Sequence, residues 1–310
     1  MTRTGRPKLP RAAAIAALTV CAALLAGAAR TSLAAQELLP LARAAAERGR
    51  IDSAYALLLR AVDAEPNRAE AQFWLGQVAG TLAAERRNLS SFGLARRAKR
   101  AFGRAVQLEP RNPLYLEGLG RYLSAAPGIV GGDRDSARSL GEVLLGVDSM
   151  RGTFLLVGLL RRGNDRDKAR ADSLVEAFSA HPTGGREGLV RLGLYFSRGR
   201  PERALPVGER LVAEDASDPL GRLVLGGALV ALKREPEAAA RHLRWAIDHP
   251  PPVTTDGRQY WPPSLWFRLG QAYIQMDRPD SARAAMQEAL RLEPGFRPAK
   301  QALDSLARRR

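Results

Sequence analysis

Three histidines, His181, His242 and His249, are the side chains of this sequence best suited to moving a proton or holding a metal near neutral pH. His181 and His249 stand beside Pro182 and Pro250, which places them at helix ends, and His242 lies inside a helical run. No two are spaced i, i+4, so none shares a helix face with another as a ligand pair. The carboxylates come as short pairs beside turn residues, Asp165 with Asp167 and Glu235 with Glu237, where acidic residues ordinarily serve a helix start. Cys21 is the one cysteine, which excludes both a disulfide framework and a thiolate metal site. Gly-x-Ser-x-Gly, His-Glu-x-x-His and the phosphate loop are all absent. The sequence therefore predicts no catalytic, cofactor-binding or metal-binding residue, and a protein that is not an enzyme.

The elements that would carry these residues are helices. Hydrophobic residues make up 45% of the 310 and charged residues 26%, the balance of a folded chain. Aromatics are only 6%, and Ala and Leu, strong helix formers that allow close helix packing, dominate. The formal charge is +16, and nearly all of it is arginine, since Lys8, Lys99, Lys168, Lys233 and Lys300 are the only lysines. So general a bias towards Arg and Ala is not read as a nucleic-acid site. It does favour acidic partners, and an Arg-driven binder of anionic envelope polymer or lipid is the alternative it keeps open. The Ala95–Arg104 run sharpens that alternative, because Arg96, Arg100 and Arg104 share one stripe while Ala98, Phe102 and Ala105 turn inward.

Residues 1–34 read as an export signal. Arg3, Arg6, Lys8 and Arg11 precede an uncharged stretch from Ala12 to Ala29, and Ser32-Leu33-Ala34 supplies the small residues of a cleavage site. The 18-residue apolar run also reaches the length of an uncleaved membrane anchor, which keeps membrane association through this segment open. Lipid attachment at Cys21 fits poorly, because bulky Val20 precedes it. The remainder, 35–310, is expected to lie outside the cytoplasm.

A repeat runs through that remainder. In residues 263–296 the sequence reads Trp266, Leu269, Gly270, Tyr273, Ala282, Met286, Ala289 and Pro294. Trp266, Leu269 and Tyr273 share one helix face at i, i+3, i+7; Gly270, Ala282 and Ala289 lack bulk where helices approach; Pro294 ends a helix. The pattern recurs in 35–66 (Leu38, Leu41, Ala42, Gly49, Ala54, Leu58, Ala61, Pro66), in 69–110 (Leu75, Gly76, Ala98, Phe102, Ala105, Pro110) and in 220–251 (Leu223, Gly227, Ala239, Leu243, Ala246, Pro251). It recurs more weakly around Leu116, Leu119 and Gly120 with Ala137, around Gly158 with Leu174, Ala177 and Pro182, and around Gly193 with Ala204. Residues 297–308 would form a closing helix.

These landmarks resemble the tetratricopeptide repeat, W-x-x-L-G-x-x-Y followed by small, large, small and Pro. The resemblance implies an all-α superhelix of about seven helix pairs with a C-terminal capping helix. It also implies a non-catalytic scaffold that binds a protein or peptide segment against the first helix of each pair. By matching repeat position, the residues on that inner wall are Phe73 and Gln77, Glu117 and Arg121, and Phe267, Gln271 and Ile274. The basic, Asn-rich clamp of the family's chaperone-tail binders is missing from such positions.

Three interruptions depart from the repeat, and such loops are where function often sits. They are Thr81–Gly93, Ala126–Asp133 and Asp248–Pro263. Pro127-Gly128-Ile129-Val130-Gly131-Gly132 resembles an insertion found in some bacterial tetratricopeptide proteins, and its glycines suit a tight turn. Asp248–Pro263 is too rich in proline for a helix, and its Tyr260 and Trp261 could grip a partner or cover a gap between repeats. If the second and third loops converged, the chain could be an accessory subunit of an envelope enzyme. Nothing in the sequence bears on the oligomeric state.

Overall fold

The computed structural model describes residues 37–86, 89–250 and 262–308, and all regular structure among them is helical. The export segment with Cys21, and Tyr260 and Trp261, lie outside the described residues. In chain order the helices are α1 (37–47), α2 (Ile51–Ala64), α3 (Ala69–Arg86), α4 (Leu89–Leu108), α5 (Pro113–Ala125), α6 (Arg134–Val147), α7 (Ser149–Leu160) and α8 (Asp165–Ala180). They continue as α9 (Gly185–Phe196), α10 (Pro201–Glu214), α11 (Pro219–Leu232), α12 (Pro236–Asp248), α13 (Pro262–Gln275), α14 (Pro279–Leu292) and α15 (Arg297–Ala307). A 3-10 turn, Gly128–Val130, follows α5. The described residues form two compact units, which divide between Asp133 and Arg134. Within the first, α2 packs on α3, α3 on α4 and α4 on α5; within the second, α9 through α15 each pack on the next.

Two turn types build this succession. Among the described residues, four of the turns between repeats close with one hydrogen-bond pattern. Glu65, Glu109, Asp215 and Glu293 each donate their N–H to a carbonyl four residues back, and the residue three further on donates to theirs. That residue immediately precedes the next helix, and in two of the four turns its side chain caps it. Asn112 accepts from Leu114 N, and Asp218 accepts from Leu220 N, each with a proline at the first helical position. Within repeats, α1, α11 and α13 end in a Schellman motif. Arg50, Arg234 and Arg278 N–H groups bond to Ala45, Leu229 and Tyr273 carbonyls. The left-handed residue this motif needs is Gly49 in the first case, but Lys233 and Asp277 in the others, at φ of 54°.

Missing side chains set the helix spacing. A Cβ on Gly76 would stand 2.8 Å from the Phe102 ring, and one on Gly270 would stand 2.6 Å from Met286 Cε. In the 220–251 repeat the residue at this close approach is Gly226, facing Leu243 Cγ at 2.9 Å; Gly227, the expected landmark, faces α13 instead. In the weakest repeat Gly158 is exposed with open space around it, and Gly152 lies against the Leu145 backbone. Leu41 is likewise 53% exposed, while its neighbour Leu39 is buried.

One of the three interruptions takes a different form from the loop expected, and residues 251–261 of another lie outside the described residues. The surplus at 81–93 lengthens α3 and α4, because residues 81–86 and 89–92 hold neither proline nor glycine to stop a helix. Pro262 and Pro263 belong to the first turn of α13, where a missing N–H costs nothing. At 126–133 the tight turn is present, with Gly131 at φ 92°. Tyr122 pins it by donating to Ala95 O at 2.7 Å while lying 2.9 Å from Val130 O.

Candidate functional site

In the first unit the wall made by α3 and α5 is closed. Phe73 sits at the expected wall position but is 1% exposed, with its ring 5.8 Å from Phe102 and 5.2 Å from Tyr115. Gly118 on α5 admits it: a Cβ there would meet Phe73 Cε2 at 2.8 Å and Phe102 Cε1 at 3.0 Å. Burial, then the charges of Glu109 and Glu70, push the Tyr115 phenol up to about 12, so it stays protonated. Glu117 is 2% exposed. Phe73 and Glu117 are therefore interior residues and present no surface to a partner, a correction to the sequence reading. Gln77 and Arg121 are half-buried and already engaged by neighbours.

In the second unit the corresponding wall is open. Helix α11 touches both α9 and α13, and a cavity of about 420 Å³ lies between α11 and α13, bordered by Ser197 just past the end of α9. Phe267 and Gln271 line it, together with Ser197, Gly227 and Val230. Phe267 also stands edge-on to Phe296, with ring centroids 5.7 Å apart. Ile274 leans the other way, onto the cluster of Met286, Ala289, Phe296 and Ala299. At the far end Gln275 donates Nε2 to Val230 O at 2.8 Å, and its Oε1 is buried without a partner among the described residues.

The residue that sequence reasoning missed is Arg268. It follows the wall residue Phe267, and its guanidinium enters the same cavity over Gly227, so that a Cβ there would overlap Nη1 and lie 3.2 Å from Cζ. Burial, then the nearby charge of Arg198, lowers its pKa from the ordinary guanidinium value. The signal available in the sequence was the pair Gly226-Gly227, one glycine more than a single close approach requires.

Other polar groups are structural. The Asp218 carboxylate, fully buried, caps α11 and takes the fork of Arg186, with Nε at 2.9 Å from Oδ2. His181 and His249 terminate α8 and α12, and His249 stacks on Trp245 at 3.9 Å. Burial, then the charges of Arg222 and Arg241, lowers the His242 pKa. Among the described residues no group of three His, Cys, Asp or Glu could hold a metal ion, and no helix is long and apolar enough to cross a membrane.

Two family models described as the tetratricopeptide repeat match the chain, one over 263–296 and the other over 39–86 and 191–252. No curated protein matches it. Among solved structures, a chain of the APC/C hetero-tetramer Cut9–Hcn1 superposes with a TM-score of 0.56 at 16% identity, covering 87% of this chain and 48% of that one. Pseudomonas aeruginosa pilF gives 0.46 at 16% identity over 89% and 99% of the two chains. A tetratricopeptide repeat protein from Parabacteroides merdae gives 0.48 at 14% identity over 88% and 98%. At 16% identity the likeness to the Cut9–Hcn1 chain concerns the fold.

Proposed function

We propose, from the premise that this chain is a tetratricopeptide repeat protein, that it is a non-catalytic scaffold acting outside the cytoplasm, and that it holds an extended segment of a partner protein against the wall of α9, α11 and α13. Tetratricopeptide repeats serve as platforms for protein–protein contact, because stacked hairpins leave one face of their first helices unpaired along the stack. The observation that carries the reading is the open cavity on that wall, about 420 Å³, where Phe267 offers an apolar face and Gln271 an amide to a passing backbone. Export rests on the basic head and apolar run of residues 1–34.

A photocrosslinking residue at Gln271, expressed in the native host, tests the reading. It is expected to yield defined adducts with an envelope or secreted protein. The same residue at Arg241, exposed on α12, is expected to yield none of them. Equal labelling at both positions, or no adduct at either, would count against the groove. The mass of the mature N-terminus tests export separately, with cleavage expected after Ala34 or Ala35.

A further inference from the structure

The second unit is rich in arginine, and many of its arginines pair with carboxylates. Arg151 and Arg191 reach Glu187, Arg186 reaches Asp218, Arg200 and Arg203 reach Glu176, and Arg170 reaches Glu142. Arg268 differs from these in lying withdrawn in a cavity without such a pair. It is partly buried, and among the described residues no carboxylate or carbonyl accepts a hydrogen bond from it. Among the described residues none that lines its cavity is acidic, and Lys233 adds a second positive charge. Such an arrangement is costly in the free protein, because a guanidinium withdrawn from water without a partner forfeits solvation that nothing replaces. Gly227 makes it sterically feasible, since any side chain there would expel the fork.

The geometry points to a carboxylate-binding subsite anchored by Arg268 between α11 and α13, filled by an acidic residue of an extended partner segment. The planar guanidinium presents two parallel N–H groups to the two oxygens of a carboxylate, a match that ammonium groups lack. Ser197 and Gln271 stand on the cavity wall as neutral partners for the flanking backbone. The inference rests on the reading of this wall as the peptide-binding face and adds the chemistry that face selects. The carboxylate could belong to a side chain or to the end of a chain, and the test separates these sources.

The purified chain, labelled with nitrogen-15, is titrated with three probes: acetyl-Gly-Glu-Gly-amide, acetyl-Gly-Gln-Gly-amide and acetyl-Gly-Gly-Gly with a free carboxylate. The readout is the Arg268 Nε–H resonance, assigned by its loss in Arg268→Lys. A saturable shift with the glutamate probe and none with the glutamine probe is the expected result. A shift with the free-carboxylate probe alone assigns the subsite to chain ends. No saturable shift with either carboxylate overturns the proposal.

Arg268→Gln is expected to weaken glutamate-probe binding at least about tenfold, equivalent to about 1.4 kcal/mol. It is expected to leave the melting temperature unchanged or raised, because it removes an uncompensated charge. A lowered melting temperature would mean that Arg268 holds the fold, and would also overturn the proposal. Gly227→Ala, which displaces the fork while keeping the charge, is expected to weaken the same binding. Crosslinks at Gln271 that persist unchanged in Arg268→Gln would leave the groove standing and remove the subsite. A specific probe shift without crosslinks in the host would do the reverse.

Discussion

In the first unit the glycine of α5, Gly118, receives the rings of Phe73 and Phe102; in the second the glycine of α11, Gly227, receives the guanidinium of Arg268. Both glycines open a space between consecutive first helices, and the occupant decides what the space does. Rings fill it, exclude water and stabilise the unit. A guanidinium fills it in part, leaves a cavity beside it and keeps a charge that no described residue pairs. The comparison teaches that position in a repeat does not by itself make a residue part of a binding wall. The wall exists only where the neighbouring helix fails to close over it.

Substitutions can break or sharpen this contrast. The largest effect is expected for Phe73→Ala, which empties a fully packed site and should cost about 3–5 kcal/mol, read as a lower urea midpoint of the purified chain. A loss under about 1 kcal/mol would mean that the first unit's wall is not closed by packing. Next comes Asp218→Ala, which removes the cap of α11 and the partner of Arg186; about 2 kcal/mol is expected. Asp218→Asn should recover the part due to the cap.

The paired glycines give the most direct comparison. Gly118→Ala drives a methyl into two packed rings and is expected to cost about 1–3 kcal/mol. Gly227→Ala meets the far end of one flexible side chain, so a helix-propensity gain of about 1 kcal/mol should nearly cancel its cost. Similar losses at the two sites would erase the distinction. A smaller effect, of opposite sign, is expected for Asp277→Gly. Its residue holds φ of 54° with a side chain, and glycine there should stabilise by up to about 1 kcal/mol.

Acid should also act on the second unit through His242. Its folded pKa lies below the ordinary imidazole value of 6.5, chiefly because the ring is buried. Protons therefore bind the unfolded chain more readily. This contribution is complete above that value and is lost as the pH falls towards and through the folded pKa. The expected outcome is a flatter stability profile below neutrality in His242→Gln than in the parent, measured by urea titration at several pH values.

Much of the fold was legible because it depends on local chemistry. The recurring acid-to-cap turns at 65–68, 109–112, 215–218 and 293–296 follow from residues adjacent in the chain, and so do the helix-stopping prolines at 66, 110, 182 and 294. Ala54, Leu58 and Ala61, or Ala98, Phe102 and Ala105, announced their buried faces by spacing alone. The candidate site was less legible. Phe267 and Gln271 were placed on the wall by repeat position, but Phe73 and Glu117 were placed there by the same rule and lie inside.

What the sequence determined by itself is the helical repeat: its period, most of its turns, and which stripe of each helix is apolar. Those features are settled by dihedral preference, capping and periodicity within a few residues. What only the tertiary structure decided is which side chain meets which neighbour. One residue along a helix turns a side chain by about 100°, so Phe267 and Arg268 reach different surroundings, as do Gly226 and Gly227. Their partners lie on other helices, and a charge is withdrawn from water only once those helices are packed.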